Sequence, residues 1–249
     1  MWTTKSAGAA HKMVLTAVVM LTFGNSAYAQ RPNSDDGTTL ITQKLADRGN
    51  VTTDDAPGFP VTISEAGSYR LGSNLIVPDG DTTAIDITAP NVVLDLNGFS
   101  ILGPGTFGSG VGINAPFRGT FPAGDVRVMN GVIRGMGSEG IRLFASCRVE
   151  GVHALQNGAG VVVAFGCTVV NNTVNINRGV GIHVAGGTVI GNTVTGNGGV
   201  GLELGAVNPI EVVGYVHNVV ARNNGGNANP QVTGGIQMGG NICGLALCP

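Results

Sequence analysis

GVGIHVAGGTVIGNTVTGNGGVGLEL, residues 179–204, nearly writes itself twice. Gly181-Ile182-His183-Val184 returns as Gly201-Leu202-Glu203-Leu204, and Gly187-Thr188-Val189 and Asn192-Thr193-Val194 stand between the two copies. The same glycine followed by apolar-x-apolar occurs on either side, as Gly112-Ile113-Asn114-Ala115, Gly140-Ile141-Arg142-Leu143, Gly160-Val161-Val162-Val163 and Gly235-Ile236-Gln237-Met238. Ala84-Ile85-Asp86-Ile87 makes a seventh copy. From Gly112 onward the glycines are 28, 20, 21, 20 and 34 residues apart. A self-similar period near twenty is the mark of a solenoid.

Each unit carries further short apolar segments. Cys147-Arg148-Val149 and Cys167-Thr168-Val169 match Gly187-Thr188-Val189, and Asn172-Thr173-Val174 matches Asn192-Thr193-Val194. Asn-Gly turns at Asn157-Gly158, Asn177-Arg178-Gly179 and Asn197-Gly198-Gly199 close the units. Three short strands and three turns fill such a period. With 42 glycines in 249 residues and abundant Val and Ile, helices are disfavoured. The 43% apolar content separates the chain from a disordered glycine-rich linker. The Leu-x-x-Leu-x-Leu frame of a leucine-rich repeat is missing. What remains is a coil of parallel strands about 4.8 Å apart, in which like residues stack in rows. Asn172, Asn192 and Asn218 are expected to form one such row, their amides bonded along the ladder.

These windows, with Gly67-Ser68-Tyr69-Arg70-Leu71 and the stretch from Asn91 through Asp95 and Asn97 to Ile101, carry a resemblance. Over about residues 66–240 the chain resembles the right-handed parallel β-helix proteins, an architecture of pectate lyases, polygalacturonases, some alginate epimerases and many secreted bacterial proteins. The resemblance implies an all-β, right-handed parallel β-helix of about seven coils over residues 66–249, ending in a C-terminal cap. Residues 30–65 read as a tail and N-terminal cap, with a short helix near residues 39–47. Residues 1–29 read as a signal peptide: Lys5, His11 and Lys12 precede an apolar run over 13–23, and Ala27-Tyr28-Ala29 offers a cleavage site. Export to the periplasm or medium is the expectation, with no membrane anchor after cleavage, because no second apolar stretch approaches eighteen residues. A net charge of −2 and the lack of a basic block exclude a nucleic-acid footprint.

Strand alternation points the central residue of each window outward, in the row Asp86, Asn114, Arg142, Val162, His183, Glu203 and Gln237. Such a row either lines a groove for an extended polymer or simply meets solvent. His183 with Glu203 is the pair suited to acid and base work, and Arg142 is a candidate anion contact or base. The glycosidases that the chain resembles use sets of aspartates, and the repeats contain none. The lyases it resembles bind calcium through several carboxylates and use a Lys or Arg base, yet no lysine follows Lys44. No metal or other cofactor is therefore expected. Asp79-Gly80-Asp81 reads as a turn. Phe107, Phe117, Arg118 and Phe121 lie in the long loops 103–110 and 116–124, where aromatic rings stack on sugars or shield the coil. Cys243 and Cys248 suit a terminal disulfide, whereas Cys147 and Cys167, with parallel side chains, are expected as buried thiols. The resulting expectation is a secreted protein that binds polysaccharide or another cell-envelope polymer. The alternatives are a polysaccharide lyase, epimerase or hydrolase, and a structural surface protein.

Overall fold

A computed structural model describes residues 37–118, 121–122, 124–205 and 211–248; the stretch read as a signal peptide lies outside them. The chain winds as a parallel β-helix with three faces. The first face is an eight-stranded parallel sheet running in order through Val61–Ile63, Ile85–Ile87, Ile113–Ala115, Glu139–Ala145, Ala159–Phe165, Ile182–Val184, Leu202–Leu204 and Val232–Gly234. Eight strands make seven steps, roughly 34 Å of stack. The second face includes Cys167–Val170, Gly187–Ile190 and Val213–Val216, and the third includes Thr173–Asn175, Thr193–Thr195 and Val219–Ala221. Val126–Arg134 and Cys147–Leu155 run through both of these faces and join them into one sheet.

Alternation builds the core. Ile113, Ile141, Val161, Ile182 and Leu202 form one inward column of the first face, and all are fully buried. Ile101, Ile133, Ala154, Val174, Val194 and Val220 do the same on the third. Each fully buried Val, Leu or Ile contributes about 1.5–3 kcal/mol relative to an exposed one.

The corners follow a single rule. Between the second and third faces Asn130, Gly151, Asn171, Gly191 and His217 are left-handed, with φ of 61, 61, 56, 65 and 57°. Between the third and first, Gly135, Gln156, Ile176, Gly196 and Arg222 are left-handed too. A buried asparagine follows most of these corners. Asn172 donates through its backbone N and Nδ2 to Oδ1 of Asn192, at 2.9 and 3.0 Å, and Asn192 does the same to Asn218 and Asn218 to Asn241. The expected ladder of Asn172, Asn192 and Asn218 is therefore present, one rung longer. A second ladder runs through Asn157, Asn177, Asn197 and Asn223 to Gln231, and its first three members are the asparagines of the turns that close the units. In both, a second amide hydrogen reaches a carbonyl of the preceding coil, as from Asn192 to Val169 at 2.9 Å.

The glycine that opens each window has a steric reason. A Cβ on Gly181 would lie 2.5 Å from Cγ1 of Val194 and 2.7 Å from the carbonyl oxygen of Gly201. The third face presses against the chain where it enters the first.

Two expectations change. Cys147 and Cys167 are not thiols but a disulfide, with Cα atoms 4.4 Å apart. Both open second-face strands just after the left-handed corner residues Ser146 and Gly166, and that corner brings the Cβ atoms within bonding range despite parallel strands. Gln237 is not in the first-face row. Glu203 is paired with Thr233, because Gly234 and Gly235, with φ of 69 and 74°, turn the chain so that Ile236–Gln237 joins the second face beside Gly214 and Tyr215. The 30–65 segment also contributes strands: Thr39–Ile41 pairs with Tyr69–Leu71 and Val61–Ile63 with Ile85–Ile87, flanking a helix at Gln43–Arg48 capped by Thr42. At the other end Ile242–Cys243 folds back on Ala246–Leu247, and a Cys243–Cys248 disulfide clips the hairpin.

Candidate functional site

The first face presents its outward row in the register Thr62, Asp86, Asn114, Arg142, Val162, His183, Glu203 and Thr233. His183 and Glu203 are brought together: Nδ1 of the imidazole lies 3.1 Å from Oε2 of the carboxylate. This contact occupies one ring nitrogen and leaves Nε2 for other work. Arg142 stands two strand steps from His183, about 10 Å along the backbone. It pairs not with that dyad but with Glu139, three residues earlier on its own strand. Burial acts to raise the Glu139 pKa, but hydrogen bonds from Arg142 and Ser138 and the Arg142 charge outweigh it and hold the carboxyl below its ordinary value. At the near end of the row Asn114 donates to Asp86 at 2.9 Å.

Beside the row lies a groove of about 470 Å³ whose walls are almost wholly apolar. Phe117, Phe144 and Phe165 form its aromatic side, Val162 and Ala164 its floor, and Arg142 and His183 its polar margin. The rings make a continuous series, with centroids 4.8 Å apart from Phe117 to Phe144 and 5.8 Å from Phe144 to Phe165. Phe144 and Phe165 lie on first-face strands, outside the long loops where the aromatic candidates of the sequence stand. Alternation marks Phe144, since Leu143 is buried and its neighbour must face out.

Of the four loop residues Phe107 and Phe117 stand apart, and the side chains of Arg118 and Phe121 lie outside the described ones. Phe117–Arg118 and Phe121–Pro122 form an antiparallel hairpin at the end of the Ile113–Ala115 strand. Phe107 precedes that strand, and the Arg178 guanidinium lies 4.8 Å from its ring centroid, so it flanks the opposite edge of the face. Asp79 is a turn residue: its Oδ1 accepts from the Thr82 hydroxyl and from the backbone of Asp81 and Thr82, which lowers its pKa. Among the described residues no cluster of three or more His, Cys, Asp or Glu side chains suits a metal ion, and no helix is long and apolar enough to cross a membrane.

No protein-family model and no curated protein matches the chain. Among solved structures it is similar to the A-module of the mannuronan C-5 epimerase AlgE4 of Azotobacter vinelandii. The TM-score is 0.39 and the identity 14%, over 79% of this chain and 70% of that one.

Proposed function

We propose that this is an exported β-helix protein that binds a polysaccharide or another cell-envelope polymer along its first face. The observation that carries this reading is the flat row of outward side chains set beside a groove with three phenylalanine rings. A parallel coil offers a ligand the same surface repeated at each strand step, which suits a repeating polymer. Aromatic rings supply the apolar area on which sugar faces stack, and Arg142, His183 and Glu203 supply hydrogen bonds at the margin. Phe107 under Arg178 would extend contacts beyond the face. The two disulfides suit an oxidising compartment. A glycan array probed with the chain from residue 30 onward tests the reading, and absence of binding to every polymer would favour a structural surface role.

One observation favours a second reading, a polysaccharide lyase, epimerase or hydrolase. The Glu203 carboxylate holds His183 by one ring nitrogen, at the edge of the groove, as an orienting carboxylate holds a general base. Product analysis on each polymer that binds separates the two: cleavage or isomerisation lost in both His183→Ala and Glu203→Ala would make the row an active site.

A further inference from the structure

We infer that the polymer taken by the first-face groove is uncharged and is gripped by its apolar faces, so that the site discriminates against polyanions. This rests on the polymer-binding reading and names the chemical class of its ligand. Each charge at the margin is already answered within the protein. Arg142 is paired with Glu139, whose carboxyl stays ionised, and His183 faces Glu203. Among the described residues that line the groove, a chain with a carboxylate on every sugar would find no unpaired cation, and would bring its own charges against Glu203 and an apolar wall. Between Arg142 and His183 the row carries Val162, an apolar residue that lines the groove. Phe117, Phe144 and Phe165 sit one beyond another at centroid spacings of 4.8 and 5.8 Å, comparable with the advance of one sugar along an extended glycan. The ring planes meet at 38° and 78°, so together they offer a sugar an apolar wall of faces and edges, and the polar margin meets its hydroxyls.

The test is isothermal titration of the disulfide-bonded protein with neutral cello- and chito-oligosaccharides and, in parallel, with oligogalacturonate and oligomannuronate. The expected result is binding of a neutral series that is insensitive to salt and weakened about tenfold by Phe144→Ala. Phe144 faces outward, and Phe144→Leu, which keeps bulk but removes the ring, guards against a folding artefact. Glu139→Gln frees the Arg142 guanidinium and should create salt-sensitive binding of the uronate oligosaccharides where the native protein shows none. Uronate binding by the native protein, lost in Arg142→Gln and unaffected by Phe144→Ala, would overturn the inference while leaving polymer binding intact. Failure of both series would overturn it if the polymers positive on the glycan array carry charge, and uphold it if they are neutral. Failure across the whole array would remove the polymer reading as well.

Discussion

At the scale of single residues, the asparagine ladders carry the most weight per side chain. Asn192 is 1% exposed; its Oδ1 accepts two hydrogen bonds from Asn172, and its Nδ2 donates to Asn218, Val169 and Ile190. Asn192→Ala leaves several buried partners unsatisfied at once, so it should cost about 2–3 kcal/mol, measured by urea unfolding. A loss below about 0.5 kcal/mol would mean that water enters the corner and replaces the amide. Ile176 is the opposite case. It occupies the left-handed corner at φ 55° that Gly196 fills one coil later, and its side chain is 57% exposed. A β-branched residue is strained there, and little burial offsets the strain. Ile176→Gly should therefore raise stability by about 0.5–1 kcal/mol in the same assay.

At the scale of the element, what matters is how strands meet across corners and between coils. Gly181→Ala would push a methyl into Val194 and the Gly201 carbonyl, where neither can retreat without parting two faces, and about 2 kcal/mol should be lost. On the second face, adjacent strands set Arg127 and Arg148 around Glu150, at 2.7 and 2.8 Å. Hydrogen bonds from Arg148 and then Arg127 lower the Glu150 pKa to about 2. A carboxylate depressed in the folded state stabilises it above the ordinary carboxylate range and loses that contribution as pH falls through the folded value. The window here runs from about 4.5 down to about 2. The two arginines are exposed and Glu150 is partly so, and solvent screening keeps the effect below about 1 kcal/mol. Glu150→Gln should flatten the stability profile across that window and leave it unchanged in shape between pH 6 and 8; an identical acid limb in both proteins would place the titration elsewhere.

At the scale of the molecule, a stack in which each coil touches its neighbours unfolds from its ends unless they are held. The C-terminal coil ends in a hairpin clipped by Cys243–Cys248, beside the exposed Leu245 and Leu247. Replacing both cysteines by alanine removes a short-loop constraint of about 2 kcal/mol. Amide exchange should then rise in Val219–Ala221 and Ile242–Cys243 and stay unchanged in Ile182–Val184; a uniform rise would show that the stack unfolds as one unit. Much of this architecture was legible along the chain. The glycine windows gave the period, alternation gave the inward columns and the Asn172 row, and the adjacency of His183 and Glu203 followed from counting one coil. Each of those depends on spacing alone, because parallel pairing converts a fixed interval in sequence into a neighbour in space. The Cys147–Cys167 bond, the displacement of Gln237, the pairing of Arg142 with Glu139 and the series from Phe117 to Phe165 depend on something else. They are set by how sharply each corner turns and by which side chains meet beyond the strand ends, where no repeat constrains the geometry, and tertiary structure alone decided them.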